Sequence, residues 1–156
     1  MVRWLKRIAK ILGVLVVLFG LMQLVPCGRT HSNPSRRVEP DWDSSRTREL
    51  VVRACFDCHS NETKWPWYSH VAPVSWLVFR DTMEGRRQVN FSEWDRPQRE
   101  AHEAAKEVRE GEMPMAIYLP LHHDAKLSAA ERTTLIDALE VVGGTAIRSP
   151  TERSTR

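Results

Sequence analysis

A chain of 156 residues allows one compact domain with appendages. Its formal net charge of +3 comes from the N-terminus, because residues 1–27 hold Arg3, Lys6, Arg7 and Lys10 but no acidic side chain. The rest of the chain is nearly balanced and has no basic cluster interleaved with aromatic residues, so the charge is no argument for nucleic-acid binding. Three cysteines are too few for a disulfide-dense scaffold.

Residues 1–27 have the pattern of an N-terminal membrane anchor, with basic residues followed by an apolar run over residues 11–25. The segment over residues 4–25 is long enough to cross a bilayer, which takes roughly 20 residues. The positive-inside rule places the N-terminus in the cytoplasm and the domain in a bacterial periplasm. A cleaved signal peptide is the alternative, but no small-residue cleavage site follows. We predict an uncleaved inner-membrane anchor, with Cys27 as a thiol at the boundary.

The remaining chain divides into three parts by composition. Residues 28–43 are polar and contain two prolines, which is typical of a linker. Residues 44–145 show helical periodicity and no alternating strand pattern, so we expect one all-α domain. Residues 146–156 are expected to form a flexible tail.

Four helices are predicted in the domain from periodicity and capping signals. Their expected ranges are residues 46–58, 73–85, 97–111 and 129–142. The expected caps are Ser44 or Ser45 for the first helix, Gly85 at the end of the second, a capping box of Asp95 and Gln98 with Gly111 for the third, and a capping box of Ser128 and Glu131 with Gly143 and Gly144 for the fourth.

The segment ACFDCHSN, residues 54–61, places Cys55 and Cys58 two residues apart, with His59 directly after them. This spacing is compatible with a zinc site, a reversible disulfide or a covalently attached haem. A structural zinc site needs four ligands, and the sequence has neither a second CxxC motif nor an HxxxH motif. A thioredoxin-type pair usually follows a strand and opens a helix, whereas this pair follows a predicted helix.

The haem interpretation uses all three residues and is the one we favour. The thiols of Cys55 and Cys58 would add to the haem vinyl groups as thioethers, and the imidazole of His59 would be the proximal iron ligand. The predicted cofactor is therefore one c-type haem per chain. Covalent attachment of such a haem takes place outside the cytoplasm in bacteria, which agrees with the predicted export.

Several segments together are similar to a known family. They are CFDCHSN, TKWPWYS, VAPVSWL, GRRQVNFSEW, GEMPMAIY and HHDAKLSAAE, between residues 46 and 142. In this combination they resemble the small bacterial haem-binding domain family, whose members are exported or membrane-anchored proteins with a single haem. The resemblance implies a cytochrome c-like helical domain around one haem.

The sixth position of the haem iron has several candidate ligands. Met113 is favoured, because it lies between Gly111, which ends a helix, and Pro114, which stiffens the loop. The family resemblance also places the ligand in this segment. Met115, His70 and His122 stay open as alternatives, since thioethers and neutral imidazoles both bind iron.

An aromatic group follows the cysteine motif within a short stretch. Trp65, Trp67, Tyr68 and Trp76 are predicted to pack against the haem, where large rings would exclude water and tune the potential. The same residues are also compatible with an ordinary core.

The sequence thus predicts a periplasmic, membrane-anchored monohaem protein that transfers one electron at a time between redox partner proteins. A peroxidase-like enzyme and a haem-based sensor are the alternatives, and both need an open or displaceable sixth position. No catalytic residue is predicted, and the chain is expected to be an electron carrier rather than an enzyme.

Overall fold

The computed structural model describes residues 2–146. The regular elements of this part of the chain are helices, apart from one isolated bridge between Val38 and Glu93, so the all-α prediction is confirmed. The helices are α1 Val2–Met22, α2 Ser45–Ala54, α3 Phe56–His59, α4 Val74–Gln88, α5 Ala104–Glu110 and α6 Ala129–Ala146, with 3-10 turns at Trp67–His70 and His123–Ala125.

The described residues form two compact units. The first contains the chain up to Ser32 together with Trp65–Asp81, and the second contains Asn33–Lys64 together with the chain from Thr82 onward. Helix α4 begins in the first unit and ends in the second.

The prediction of a membrane anchor over residues 4–25 is wrong for α1, which lies in the first unit. No helix within residues 2–146 is both long and apolar enough to cross a membrane. Basic residues occupy the start of α1, and residues 11–22 at 1.5 Å per residue span only about 18 Å, whereas a bilayer core is roughly 30 Å thick. The predicted inner-membrane anchoring is therefore wrong.

Two contacts inside the first unit fix the chain between α1 and α4. The side chain of Gln23 donates to Ala72 O at 3.0 Å and accepts from Ala72 N at 2.9 Å. Gly28 has φ of +72°, and a Cβ there would lie 2.6 Å from Ser75 O. Glycine is therefore required at this position both by its conformation and by the close approach of the α4 backbone.

The second unit is built around α2, α5 and α6. Ser44 caps α2 by accepting from Thr47 N at 3.0 Å, and Leu50, Val51 and Ala54 on one side of α2 are buried. Val51 belongs to one apolar core together with residues from the other elements. Those residues include Phe56, Val89, Phe91, Trp94, Ala105, Val108, Leu135, Leu139 and Val142.

The two predicted capping boxes have different outcomes. The box at α6 is confirmed, since Glu131 N donates to Ser128 Oγ at 3.3 Å and Ser128 N donates to Glu131 Oε2 at 2.9 Å. The box of Asp95 and Gln98 is wrong, and α5 begins only at Ala104. Asp95 instead accepts from Arg37 Nε at 3.0 Å, and the side chain of Gln98 accepts from Asn90 N at 2.8 Å.

The predicted division of the chain into anchor, linker, domain and tail is not decided by these elements. Part of the predicted linker belongs to the second unit, where Trp94 N donates to Val38 O at 2.8 Å and Trp42 packs on Phe91 with ring centroids 5.5 Å apart. Ala146 ends α6, and the rest of the predicted tail lies outside the described residues.

Candidate functional site

The cysteine motif occupies the junction of α2 and α3. Cys55 is both the C-cap of α2 and the N-cap of α3. Its carbonyl accepts hydrogen bonds from Cys58 N at 3.2 Å and from His59 N at 2.9 Å. No disulfide joins Cys55 and Cys58. Burial raises the pKa of the Cys55 thiol to about 12, with a smaller contribution from Cys58. One helical turn therefore fixes the backbone of all three motif residues.

The imidazole of His59 is held in one tautomer. Its Nδ1 lies 3.2 Å from Val89 O, and since a carbonyl only accepts, Nδ1 carries the proton. The lone pair of Nε2 is thereby left for a metal ion. Burial lowers the pKa of His59, although the carbonyls of Val89 and Gly85 oppose the shift. His59 is thus a neutral, oriented imidazole, which is the form that binds iron.

A buried polar network ties this histidine to the segment after α4. Phe91 N donates to His59 O at 2.8 Å, and Asn61 N donates to Ser92 Oγ at 3.0 Å. The amide of Asn90 donates to Asn61 Oδ1 at 2.9 Å. These side chains have partners for their buried polar atoms, so the network holds the motif rigidly. The sequence offered a signal for it only in the paired segments HSN and NFS.

A cavity of about 290 Å³ adjoins the motif within the second unit. Cys55, His59 and Met113 all line it, together with mostly apolar neighbours. The other lining residues are Ala54, Gln88, Val89, Phe91, Glu100, Glu103, Ala104, Glu107, Val108 and Leu139. Three of the predicted cofactor residues therefore face one common space.

Met113 reaches this cavity because the end of α5 directs the loop. Gly111 takes the left-handed conformation with φ of +85°, and the carbonyl of Glu107 accepts from the backbone N of both Glu112 and Met113. Met113 packs against the core and lines the cavity, whereas Met115 is not among its lining residues. This geometry favours Met113 over Met115 as an iron ligand without testing either.

The two alternative histidines lie in different units. His122 is stacked on Tyr118 in the second unit, with ring centroids 3.8 Å apart, and is not among the cavity-lining residues. His70 belongs to the first unit, where its ring meets His31 edge-on at 4.2 Å.

The four aromatic residues predicted to pack on haem all belong to the first unit. The ring of Trp65 stacks on His31 at 4.5 Å, and Trp67 meets Tyr68 edge-on at 5.8 Å. Trp67 is 77% exposed, which excludes it from an ordinary core. The contact of Trp65, Trp67, Tyr68 and Trp76 with haem stays a prediction.

The donor set around the cavity fits a haem better than a bare metal ion. Within the described residues, no three His, Cys, Asp or Glu side chains converge as ligands for a metal ion. A haem iron needs fewer protein ligands, because the porphyrin supplies the equatorial nitrogens. A neutral imidazole, a partly buried thioether and the thiol of Cys55 line this mostly apolar cavity, and Cys58 follows Cys55 within the same turn, which is the set of groups that a haem requires.

Comparison with known proteins supports the same cofactor. A family model described as a haem-binding domain matches residues 17–140, which is most of the chain. No match was found among the curated proteins or the solved structures. The match includes the motif, the cavity-lining residues and the Met113 loop, and the chain belongs to the haem-binding domain family.

Proposed function

We propose that this domain attaches one haem covalently through Cys55 and Cys58 and transfers single electrons between redox partner proteins. The observation that carries the proposal is the convergence of Cys55, His59 and Met113 on one apolar cavity. Haem, when bound there, supplies an iron that gains and loses one electron.

The residues of the chain have separate parts in this function. Cys55 and Cys58 would hold the haem covalently: each S–H would add across a vinyl group, with sulfur bonding to one vinyl carbon and the hydrogen to the other, so that nothing is released. The imidazole of His59 presents Nε2 to the iron, while its bond to Val89 keeps the ring oriented. The buried apolar side chains exclude water and so limit the reorganisation that accompanies a change of charge.

Met113 favours electron transfer over catalysis. If its thioether bound the haem iron, Met113 would raise the reduction potential and leave no position for peroxide or a gas. The partner proteins are expected to make small and transient contacts, as redox encounters usually do.

One observation favours the alternative of a peroxidase-like enzyme or sensor. Glu100, Glu103 and Glu107 line the same cavity, and a carboxyl group beside an open iron position can act as an acid or base. This alternative requires that the sixth position is open or easily vacated.

Azide titration of the haem-loaded protein separates the two functions. If Met113 occupies the sixth position, we expect a low-spin ferric spectrum that changes little at azide concentrations that saturate an open haem. A high-spin spectrum that shifts at once on adding azide would contradict electron transfer through a saturated iron and would favour the enzyme or sensor.

A further inference from the structure

The loop between α5 and α6 returns to the cysteine motif shortly after Met113. The hydroxyl of Tyr118 donates to Asp57 Oδ2 at 2.6 Å, and its ring stacks on His122 at an interplanar angle of 12°. Asp57 lies in α3 between Cys55 and Cys58. The loop that carries Met113 is therefore bonded to α3, the helix that begins after Cys55 and contains Cys58.

The acceptor of this bond is itself fixed in place. Asp57 Oδ1 accepts from Lys64 N at 3.0 Å, and its backbone carbonyl accepts from Thr63 Oγ1 at 2.8 Å. Because both ends of Asp57 are held, its carboxylate cannot follow a loop that moves away. Outward motion of the loop must then break the bond to Tyr118.

A second anchor lies on the other side of Met113. Its backbone N donates to Glu107 O at 3.2 Å, at the end of α5. Arg132 of α6 donates to the neighbouring carbonyl of Val108 at 2.8 Å. Met113 thus lies between an anchor at α5 and one at Tyr118.

We propose that Tyr118 is a positioning residue whose bond to Asp57 holds the Met113 loop closed and sets how often the sixth position opens. The inference rests on the proposed ligation of iron by Met113. A thioether is a weak iron ligand, so the loop contributes much of what keeps it in place. Loss of a hydrogen bond to a carboxylate should make opening about tenfold more frequent.

The test uses the haem-loaded full chain and the variant Tyr118→Phe, which keeps the ring and its stack on His122. We expect azide to bind the ferric variant about tenfold faster, because the rate is limited by release of Met113. Amide hydrogen exchange over residues 112–119 should rise by a similar factor. Thr133→Val is the control, since it removes a hydroxyl bonded only along α6 and should leave both rates unchanged.

A double-mutant cycle with Asp57→Asn decides whether the two residues act through one bond. If they do, the double variant opens no faster than the faster single variant. Multiplying effects would overturn the proposal, as would a lower melting temperature with unchanged azide and exchange rates. If the unmutated protein shows no sulfur-to-iron charge-transfer band, ligation by Met113 fails. The exchange rates then test only whether the bond from Tyr118 to Asp57 restrains the loop. Faster exchange in Tyr118→Phe would support that restraint, and unchanged exchange would contradict it.

Discussion

Replacing Met113 with alanine should open the sixth position of the haem iron and lower its reduction potential. The weak near-infrared sulfur-to-iron charge-transfer band of the oxidised protein should disappear, and azide or carbon monoxide should bind readily. The potential should fall by on the order of 0.1 V, a part of the roughly 0.8 V that axial ligands span. Optical spectra and a redox titration measure these effects.

Met115→Ala is the matched control, since Met115 is in the same loop but is not among the residues that line the cavity. It should leave the band and the potential nearly unchanged. If Met115→Ala removes the band and Met113→Ala does not, the ligand is Met115. If neither matters and His122→Ala or His70→Ala alters the spectrum, the iron has two histidine ligands.

Gly85→Ala should disrupt the proposed haem site, because α4 packs against Cys58 of the motif at this residue. A Cβ on residue 85 would lie 2.5 Å from Cys58 O and 3.3 Å from Cys58 Cβ. The backbone of α3 cannot yield cheaply, because hydrogen bonds fix it on both sides of the motif. We expect a loss of about 1–3 kcal/mol in the free energy of unfolding, together with less haem per chain, because Cys58 is displaced.

Gly144→Ala controls for the effect of alanine itself in a helix. A Cβ at Gly144 would meet no atom within 4 Å, so this change should stabilise the protein by up to about 1 kcal/mol. Denaturant unfolding and the ratio of haem to protein provide the measurements. A Gly85→Ala variant with full stability and full haem loading would show that α4 and α3 are not in this close contact.

Local signals predicted the features of the fold that depend on neighbouring residues. The capping box of Ser128 and Glu131 and the cap at Ser44 are set within one helical turn, and both formed. Asp95 and Gln98 have the same local pattern but do not form a capping box. Asp95 accepts a hydrogen bond from Arg37 instead, and Gln98 accepts one from the backbone N of Asn90.

Glycines near helix ends misled the prediction for a similar reason. Gly85 was expected to end a helix, but α4 continues to Gln88. Glycine is there because the backbone of Cys58 passes close by. Gly143 likewise lies within α6, where a Cβ would meet Ala101 O at 2.5 Å. Glycine is required at these positions because the neighbouring backbone leaves no room for a Cβ. Such a close contact depends on tertiary packing, which a single sequence does not reveal.

The candidate site divides in the same way. The spacing of Cys55, Cys58 and His59 predicts a haem-attachment motif from local sequence alone, because the attachment chemistry sets that spacing. The bond from His59 to Val89 spans 30 positions, and the bond from Tyr118 to Asp57 spans 61. Nothing in the local pattern indicates such pairs, so the orientation of the imidazole and the bond between the loop and α3 emerged only from the structure.

Covalent attachment of one haem through Cys55 and Cys58 is tested most directly by the intact mass of the full chain, produced in a host that matures c-type haem. We expect the mass of the polypeptide plus one complete haem, since addition of each thiol to a vinyl group releases no atoms. The Cys55→Ala, Cys58→Ala double variant should have the mass of the bare chain. A bare-chain mass for the unmutated protein from that host would contradict covalent attachment and, with it, the assignment of Cys55 and Cys58.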